Sequence, residues 1–296
     1  MSKLYIRKVA VLGAGVMGAQ IAAHLANADV PVLLFDLASP DGDGNGIVRK
    51  ALDGLKKLKP APFGHKDRMA LVEPANYDKH LARLAECDFV IEAIAEKFEW
   101  KEDLYRKIAP HLKPGTIIAS NTSGLSINKL AQAMPEAHRH NFCGIHFFNP
   151  PRYMALVEII PCITSDAAML DGLETWLTSR LGKGIIRALD TPNFIANRVG
   201  IAWLLMVAHH TQRLGLTFDE VDALTGVRIG LPKSATFRLL DVVGLDTMGH
   251  VINTMKNTLA GDPWHGYYEV PAWAQQLVAK GAIGQKAGRG VYFRDG

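Results

Sequence analysis

Short apolar runs alternate with helical periodicities over the N-terminal two thirds of the chain. The runs at 9–12 and 32–35 predict buried strands, and the apolar positions between Ile21 and Ala26 recur at the spacing of one helix face. The alternation continues, with predicted strands at 88–94, 116–120, 142–148 and 156–160 and predicted helices at 47–59, 96–111 and 127–134. Strands that alternate with helices indicate an α/β fold built on a parallel sheet.

The pattern changes at residues 190–192, Asp-Thr-Pro. Beyond them the chain carries long helix-like stretches, at 194–214, 218–225 and 243–259. Pro192 cannot continue a strand ladder or a helix interior, so we place the boundary between two domains here. The sequence therefore predicts an α/β domain over residues 1–189 and an all-helical domain over residues 190–296.

A glycine-rich turn follows the first predicted strand. Residues 13–18 have the pattern G-x-G-x-x-G between a strand and a helix, which is the context that a dinucleotide-binding turn requires. Gly13 would form the tight bend, Gly15 would let the backbone approach a pyrophosphate, and Gly18 would let helix and strand pack closely. The motif predicts a Rossmann domain with a doubly wound, mostly parallel sheet.

The helix that begins at this turn predicts where the phosphates bind. Its first amides, near Val16 and Met17, lack partners within the helix and lie at the positive end of its dipole. Asp36 ends the second predicted strand, close to the spacing at which such folds place an acid. A carboxylate there accepts from a ribose 2′-hydroxyl and repels a 2′-phosphate. The sequence therefore predicts NAD, rather than NADP, as the cofactor.

Composition and charge narrow the class of protein. With 296 residues, of which 48% are hydrophobic and 21% charged, the chain has the composition of a globular protein of about two domains. Its formal net charge of +4 is mild, and its lysines and arginines are scattered. This balance favours an anionic small molecule over a nucleic acid as the partner.

Other features of the sequence suggest a compartment. The three cysteines have no paired spacing, which indicates structural thiols in a reducing environment. The N-terminus shows no secretion signal, and the longest apolar run, 199–208, is about half as long as a membrane span requires. We expect a soluble cytoplasmic protein, or a mitochondrial matrix protein if the chain has been processed.

Hydride transfer from an alcohol to NAD also needs a base that takes the hydroxyl proton. Among 11 histidines, His146 stands apart because it lies in the apolar strand 142–148. Glu158 lies in the next apolar run, and a hairpin-like return would bring it against His146. A buried carboxylate needs a partner, and such a pair fixes the imidazole tautomer and stabilises the imidazolium. The simpler alternatives are a satisfied core histidine and a structural salt bridge.

Polar side chains collect after several predicted strands. They are Glu96, Asn121, Ser123, His146 and Asn149. The carboxyl ends of parallel strands meet at one edge of a sheet, where ligands gather. Because these residues come from several strands, the sequence predicts one polar site at that edge.

Together these segments resemble the L-3-hydroxyacyl-CoA dehydrogenase family over nearly the whole chain. The matching segments are 13–18, 91–96, 120–123, 146–150, 156–158, 190–198 and 288–292. The resemblance implies NAD-dependent oxidation of (S)-3-hydroxyacyl-CoA to 3-ketoacyl-CoA in fatty-acid β-oxidation. It also implies a Rossmann domain followed by a helical domain that dimerises.

The resemblance implies roles for individual residues. His146 would be the general base, and Glu158 would orient it and stabilise its charge. Ser123 and Asn197 would hydrogen-bond substrate oxygens. Besides the glycine-rich turn and Asp36, the implied cofactor contacts are Glu96, Lys101, Asn121 and Asn149, the last of which would also steady the site.

The arm after the second strand departs from the family pattern. It is shorter than the family's helical hairpin, has Ala51 where the family often has serine, and ends in a proline-rich tip at 59–63. Its basic face is either a solvated surface or an anion-binding arm on which Arg49, Lys50, Lys56 or Lys57 would hold the CoA phosphates. Among these four residues, Lys50 and Lys57 are the candidates that we assign to the substrate. Similar modules are fused to an enoyl-CoA hydratase-like domain, so such a domain is an expected partner, fused or associated.

Two alternatives remain open. Gulonate-type dehydrogenases of the same superfamily share the His/Glu pair but act on free sugar acids, and a non-catalytic NAD-binding structural protein would share only the fold. Two other dehydrogenase classes fit less well. Enzymes of the 3-hydroxyisobutyrate type need a catalytic lysine, which the stretch 194–214 lacks, and short-chain dehydrogenases need Tyr-x-x-x-Lys, which the sequence does not contain.

Overall fold

The computed structural model describes residues 4–40 and 42–293. The chain divides into two compact units, Met1–Thr191 and Pro192–Gly296, which we call the N-terminal and C-terminal units. The division lies at the Thr191–Pro192 step, close to the boundary that the sequence predicts.

An eight-stranded sheet runs through the described part of the N-terminal unit and confirms the expected α/β fold. Its strands are β1 (Val9–Leu12), β2 (Val32–Asp36), β3 (Val72–Asn76), β4 (Phe89–Glu92), β5 (Ile117–Ser120), β6 (Phe142–Phe147), β7 (Leu156–Pro161) and β8 (Gly184–Arg187). They lie in the order β3-β2-β1-β4-β5-β6-β7-β8, and only β6 and β7 pair antiparallel within it. The strand order reverses between β1 and β4, which is where dinucleotides bind in open α/β sheets.

Helices connect these strands. They are α1 (Val16–Asn27), α2 (Gly46–Leu55), α3 (Phe98–Ile108), α4 (Ile127–Ala133), α5 (Glu136–Arg139) and α6 (Ala167–Leu181). The strands β1, β4 and β5 are buried along their whole length, as apolar runs in a parallel sheet require. The helix α2 ends before the predicted residue 59, because Gly54 and the proline-rich segment 60–62 do not support a helix.

Four of these labelled elements are missing from the sequence-based prediction: the strands β3 and β8, the long helix α6 and the one-turn helix α5. The strand β3 is an edge strand that contains Pro74, which breaks the apolar pattern but is tolerated at an edge. The strand β8 forms the other edge and is largely exposed, and its two isoleucines are too short an apolar run to predict a strand. The long helix α6 has a weak apolar face, although Leu173 and Leu177 are fully buried against the core.

The C-terminal unit is helical in its described part. Its helices are α7 (Ala196–Leu214), α8 (Phe218–Leu224), α9 (Phe237–Val243), α10 (Leu245–Thr258) and α11 (Ala272–Ala279). The helix predicted over 243–259 is present as α10. Gly244, with φ +99°, separates it from α9, which the sequence pattern did not predict. The rings of Phe218, Phe237 and Trp273 meet in the core of this unit.

Residues 291 and 292 form hydrogen bonds with two buried aspartates of the C-terminal unit. Asp241 accepts hydrogen bonds from the amides of Val291 (2.7 Å) and Tyr292 (2.8 Å), and the Tyr292 hydroxyl donates to Asp222 at 2.9 Å. Gly290 cannot be replaced without movement, since a Cβ there would lie 2.0 Å from an Asp241 oxygen. The glycine-rich motif at 288–292 therefore has a structural function in this unit.

Among the helices of the described chain, none combines the length and the apolar character needed to cross a membrane.

Candidate active site

The glycine-rich turn forms a close-packed cradle between β1 and α1. Gly13 has φ +103°, and a Cβ there would lie 2.7 Å from the carbonyl oxygen of Ala93. A Cβ on Gly18 would lie 1.8 Å from the Gly13 carbonyl oxygen, so helix and strand pack only because both residues are glycine. A Cβ on Gly15 would meet no atom within 4 Å, which leaves its backbone open to a ligand.

The carboxylate of Asp36 is held beside this cradle. It accepts hydrogen bonds from the amide of Ala14 at 2.6 Å and from its neighbour Leu37 at 2.7 Å. A cleft of about 540 Å³ lies along the turn and is lined in part by Gly13, Gly15, Asp36, Leu37, Tyr77 and Trp100. Gly15, which precedes α1, has no side chain to cap the helix, so the first amides at Val16 and Met17 are left for a ligand. These residues fit a dinucleotide whose pyrophosphate lies at the start of α1.

His146 and Glu158 face each other across the antiparallel pair of strands. They are register partners on β6 and β7, and the imidazole Nδ1 lies 2.7 Å from Glu158 Oε2. The hairpin-like return expected from the sequence is thus present. Glu158 is fully buried and His146 is 4% exposed, so their interaction is weakly screened by water.

The geometry assigns the tautomer of the imidazole. An ionised carboxylate can only accept, so Nδ1 of His146 carries the hydrogen that Glu158 binds. The other ring nitrogen, Nε2, then carries the lone pair of the neutral ring and lies 3.1 Å from the Ser123 hydroxyl. Because an uncharged Nε2 accepts, the Ser123 hydroxyl donates to it. This arrangement presents a proton acceptor beside a hydroxyl group.

Ser123 lies on a loop that follows β5, and Glu96 holds this loop. Glu96 Oε1 accepts from the amides of Ser123 (2.9 Å) and Gly124 (3.0 Å), and also from the hydroxyl of Thr122. Three donors from successive residues converge on one carboxylate oxygen. The position of Ser123 relative to the base therefore depends on Glu96.

The two asparagines expected at the cofactor site contact neighbouring elements. Asn121 Oδ1 accepts from the amide of Phe147 at 3.0 Å, which ties the end of β5 to the strand of the base. Gln20, on α1, donates to Asn149 Oδ1 and to the Val16 carbonyl oxygen, both at 3.1 Å. The loop after β6 is thereby connected to α1, and Gly15, which precedes α1, lines the cleft.

Of the remaining predicted residues, Lys101 adjoins Glu96 and the others lie elsewhere. Lys101 is buried on α3, where its ammonium lies 2.6 Å from Glu92 Oε1. Asn197 is in the first turn of α7, in the C-terminal unit. Lys50 and Lys57 are exposed on α2 and just beyond it. Of the other charged residues of this arm, Arg49 pairs with Asp43 and Lys56 with Asp53.

Sequence-based reasoning overlooked two polar residues of this region. Glu92 is a carboxylate in an apolar strand, which is the same signal that drew attention to Glu158, and it is fully buried. Gln20 is a polar residue among the buried positions of α1, so its burial also signals a specific partner.

Comparison with known proteins gives the family. A model of the 3-hydroxyacyl-CoA dehydrogenase NAD binding domain matches residues 8–191, and a model of the C-terminal domain of the same family matches residues 194–293. The chain belongs to the 3-hydroxyacyl-CoA dehydrogenase family. The resemblance inferred from the sequence is confirmed, and with it NAD as the cofactor.

Relatives in this family differ in length. A probable 3-hydroxyacyl-CoA dehydrogenase of Bacillus subtilis is 41% identical over 99% of this chain, which spans only 39% of that protein. A protein of the same name from Deinococcus radiodurans is 40% identical over 97% of this chain and 82% of its own length. A putative fatty acid oxidation complex trifunctional enzyme of Rickettsia felis is 39% identical over 98% of this chain and 40% of its own.

A solved structure of the family has the same fold. The (S)-3-hydroxybutyryl-CoA dehydrogenase of Ralstonia eutropha superposes with a TM-score of 0.79 at 30% identity, over 99% of this chain and all of the other. The expected order of a Rossmann domain and a helical domain is thus confirmed for this member of the family.

Proposed function

We propose that the protein oxidises (S)-3-hydroxyacyl-CoA to 3-ketoacyl-CoA with NAD as the hydride acceptor, in fatty-acid β-oxidation. The observation that carries the proposal is the arrangement at the sheet edge. There, His146 Nδ1 is held by Glu158 at 2.7 Å, and its Nε2 lies 3.1 Å from the Ser123 hydroxyl. A base with a fixed tautomer beside a hydroxyl-binding serine suits proton removal from a substrate alcohol.

The proton path follows from this geometry. When bound, NAD supplies the acceptor for the hydride that leaves C3 of the substrate. In oxidation, Nε2 of His146 takes the proton of the C3 hydroxyl, and the carboxylate of Glu158 stabilises the imidazolium that results. In reduction, the imidazolium returns this proton to the oxygen at C3. The Ser123 hydroxyl exchanges its hydrogen bond to His146 for one to the same substrate oxygen. For Asn197, the family resemblance alone implies a hydrogen bond to a substrate oxygen.

We propose that the cofactor binds at the glycine-rich turn between β1 and α1. The amides at Val16 and Met17 would bind the pyrophosphate, and Asp36 would accept from the ribose 2′-hydroxyl. The carboxylate of Asp36 is already oriented by the Ala14 amide, so it can discriminate against a 2′-phosphate without rearrangement. Asn121 and Asn149 would line the nicotinamide end of the site, near His146.

The CoA part of the substrate carries anionic phosphates, and the arm after β2 carries lysines that could bind them. Lys50 and Lys57 are exposed, whereas their neighbours Arg49 and Lys56 already have acidic partners. We assign the CoA phosphates to these two lysines.

The names of the relatives support a proposal about the protein's partners and cellular location. One relative is named as a trifunctional fatty acid oxidation enzyme, and this chain spans about two fifths of it. We therefore propose association with an enoyl-CoA hydratase, as a fused domain or a separate protein, in the cytoplasm. A homodimer formed by the C-terminal unit would cover the apolar groove that includes Trp203, Leu214 and Leu224.

One experiment separates this function from its alternatives. NADH absorbance is followed with acetoacetyl-CoA, and separately NAD reduction is followed with L-gulonate. Turnover of acetoacetyl-CoA supports the proposal, and turnover of L-gulonate alone would support a gulonate-type enzyme. Turnover of neither, with NADH still bound, would favour a non-catalytic NAD-binding protein. A series of short, medium and long 3-ketoacyl-CoA substrates then defines the chain length.

A further inference from the structure

A lysine lies between two carboxylates behind the loop of Ser123. The side chain of Lys101 is 1% exposed, and its ammonium is 2.6 Å from Glu92 Oε1 and 3.7 Å from Glu96 Oε2. Glu92 is fully buried, whereas the side chain of Glu96 is 45% exposed. The ammonium of Lys101 therefore links the buried carboxylate of Glu92 to the carboxylate of Glu96 at the site.

Glu92 fixes the position of the Lys101 ammonium. Besides Lys101, it accepts from the amide of Ile94 at 2.8 Å, from the hydroxyl of Ser120 at 2.6 Å and from that of Tyr105 at 3.1 Å. Burial raises the pKa of Tyr105, so its phenol keeps its proton and remains a donor. With four donors around it, this carboxylate has little freedom to move, and the ammonium that it binds is fixed with it.

Glu96 has one oxygen for the loop and one for the lysine. Its Oε1 accepts from the amides of Ser123 and Gly124, while Oε2 is the oxygen nearer to Lys101. A half-exposed carboxylate samples several rotamers in water unless charge or hydrogen bonds restrain it. A buried ammonium at 3.7 Å attracts it through a medium of lower polarity than water, and this attraction favours the rotamer that holds the loop.

We propose that Lys101, fixed by Glu92, is a positioning residue that acts through Glu96 on Ser123. The inference rests on the proposed function, in which Ser123 binds the reacting oxygen of the substrate. The family resemblance implies a cofactor contact for Lys101, and the Kd of NADH separates that role from the positioning role. The burial of its ammonium supports the positioning role, since the adjacent Trp100 is 52% exposed and lines the cleft, whereas Lys101 points into the interior.

The test compares Lys101→Met with Lys101→Arg. A third variant, Glu92→Gln combined with Lys101→Met, removes both buried charges together and serves if Lys101→Met alone does not fold. Lys113→Met is the matched control, because Lys113 forms another 2.6 Å ion pair, with Asp88, in the same unit. Three quantities are measured: the Kd of NADH by fluorescence, kcat and KM with acetoacetyl-CoA, and hydrogen exchange of the Ser123 and Gly124 amides.

The proposal predicts a specific combination of results. In Lys101→Met the Ser123 and Gly124 amides exchange faster, while the Met169 amide, which Asp166 caps at 2.7 Å, is unchanged. The Kd of NADH stays within about twofold, and kcat falls by up to about 100-fold because Ser123 is misplaced. Lys101→Arg retains most of the activity. In a Glu96→Gln background, Lys101→Met adds little further loss, because both residues act through the same loop.

Other results would overturn it. A large rise in the Kd of NADH with unchanged amide exchange would make Lys101 a cofactor contact. Independent, multiplicative losses of kcat in the Glu96→Gln background would make its role merely structural. A wild-type protein that binds NADH but reduces no 3-ketoacyl-CoA would contradict the proposed function instead, and amide exchange would still test the link from Lys101 to the loop.

Discussion

The hydroxyl of Ser123 lies 3.1 Å from Nε2 of His146, on the side of the imidazole opposite Glu158. Ser123 reaches this place from the loop after β5, while His146 stands within β6. Because the two elements are neighbouring parallel strands, the distance is set by the sheet and by the carboxylate of Glu96, which holds the loop.

Ser123→Ala tests the first consequence of this contact. Loss of the hydrogen bond to the substrate oxygen is expected to cost about 1–2 kcal/mol, or roughly 5- to 30-fold in kcat/KM. Ser179→Ala is the control, since Ser179 bonds only to a backbone carbonyl on the surface of α6 among the contacts described for it. Steady-state rates of acetoacetyl-CoA reduction give the answer, and equal kcat/KM in Ser123→Ala and wild type would remove Ser123 from the site.

Asp36 is predicted to select the cofactor. Asp36→Ala removes the acceptor of the ribose 2′-hydroxyl and should weaken NADH binding by about 1.5–3 kcal/mol. Asp36→Asn keeps an acceptor for the Ala14 amide but loses the charge, so its preference for NADH over NADPH should shrink. Asp53→Ala, which removes an exposed partner of Lys56, is the control. Fluorescence titrations give the Kd of NADH and of NADPH for each variant. Wild-type protein that binds NADPH as tightly as NADH would contradict the role of Asp36.

The arm prediction concerns Lys50 and Lys57. Replacing both by Gln should raise the KM for acyl-CoA, leave the KM for NADH unchanged and flatten the salt dependence of kcat/KM. Lys56→Gln is the adjacent control, because Lys56 already pairs with Asp53 at 2.6 Å. If the double variant and the control have the same KM and the same salt dependence, the arm is a solvated surface.

His24 makes stability depend on pH. Burial, aided by the nearby cations Lys183 and Arg152, lowers the pKa of His24 from 6.5 to about 4. Between these values the unfolded chain binds a proton that the folded chain does not, so stability is complete above pH 6.5 and falls as the pH falls toward 4. At pH 5 the loss attributable to His24 is about 2 kcal/mol.

Urea unfolding at pH 7.5 and pH 5.0 measures this loss. His24→Leu, which fills the buried position without a titrating group, should lose about 2 kcal/mol less between the two pH values than wild type does. His140→Leu is the control, because His140 is an exposed histidine. Equal losses in wild type and His24→Leu would show that His24 does not carry the effect.

Parts of the fold and the site follow from local patterns. The glycines of the turn at 13–18 are dictated by backbone geometry at single positions, and Asp36 by its place at a strand end, so sequence alone locates the cradle. The pairing of His146 with Glu158 follows from two adjacent apolar runs, each with one buried ionisable residue. Such features depend on short stretches of chain.

Features that depend on distant partners could not be predicted. Pro74 interrupts the apolar pattern of an edge strand that forms by pairing with β2. The strand β8 is largely exposed and has an apolar run of only two isoleucines. The burial of Lys101 depends on Glu92, nine residues earlier on another element. A lysine in an amphipathic helix usually extends to solvent, and only the position of α3 against β4 reveals that this one does not.

The most direct test of the account is kcat for acetoacetyl-CoA reduction in His146→Gln, Glu158→Gln and the double variant, with the Kd of NADH measured beside it. We expect His146→Gln to lose about 100- to 10,000-fold in kcat, because a general acid–base group is removed, with the Kd of NADH nearly unchanged. Since Glu158 acts through His146, the double variant should be little worse than the poorer single one. An unchanged kcat in His146→Gln would contradict the assignment of the base, and independent, multiplicative losses in the double variant would contradict the pairing.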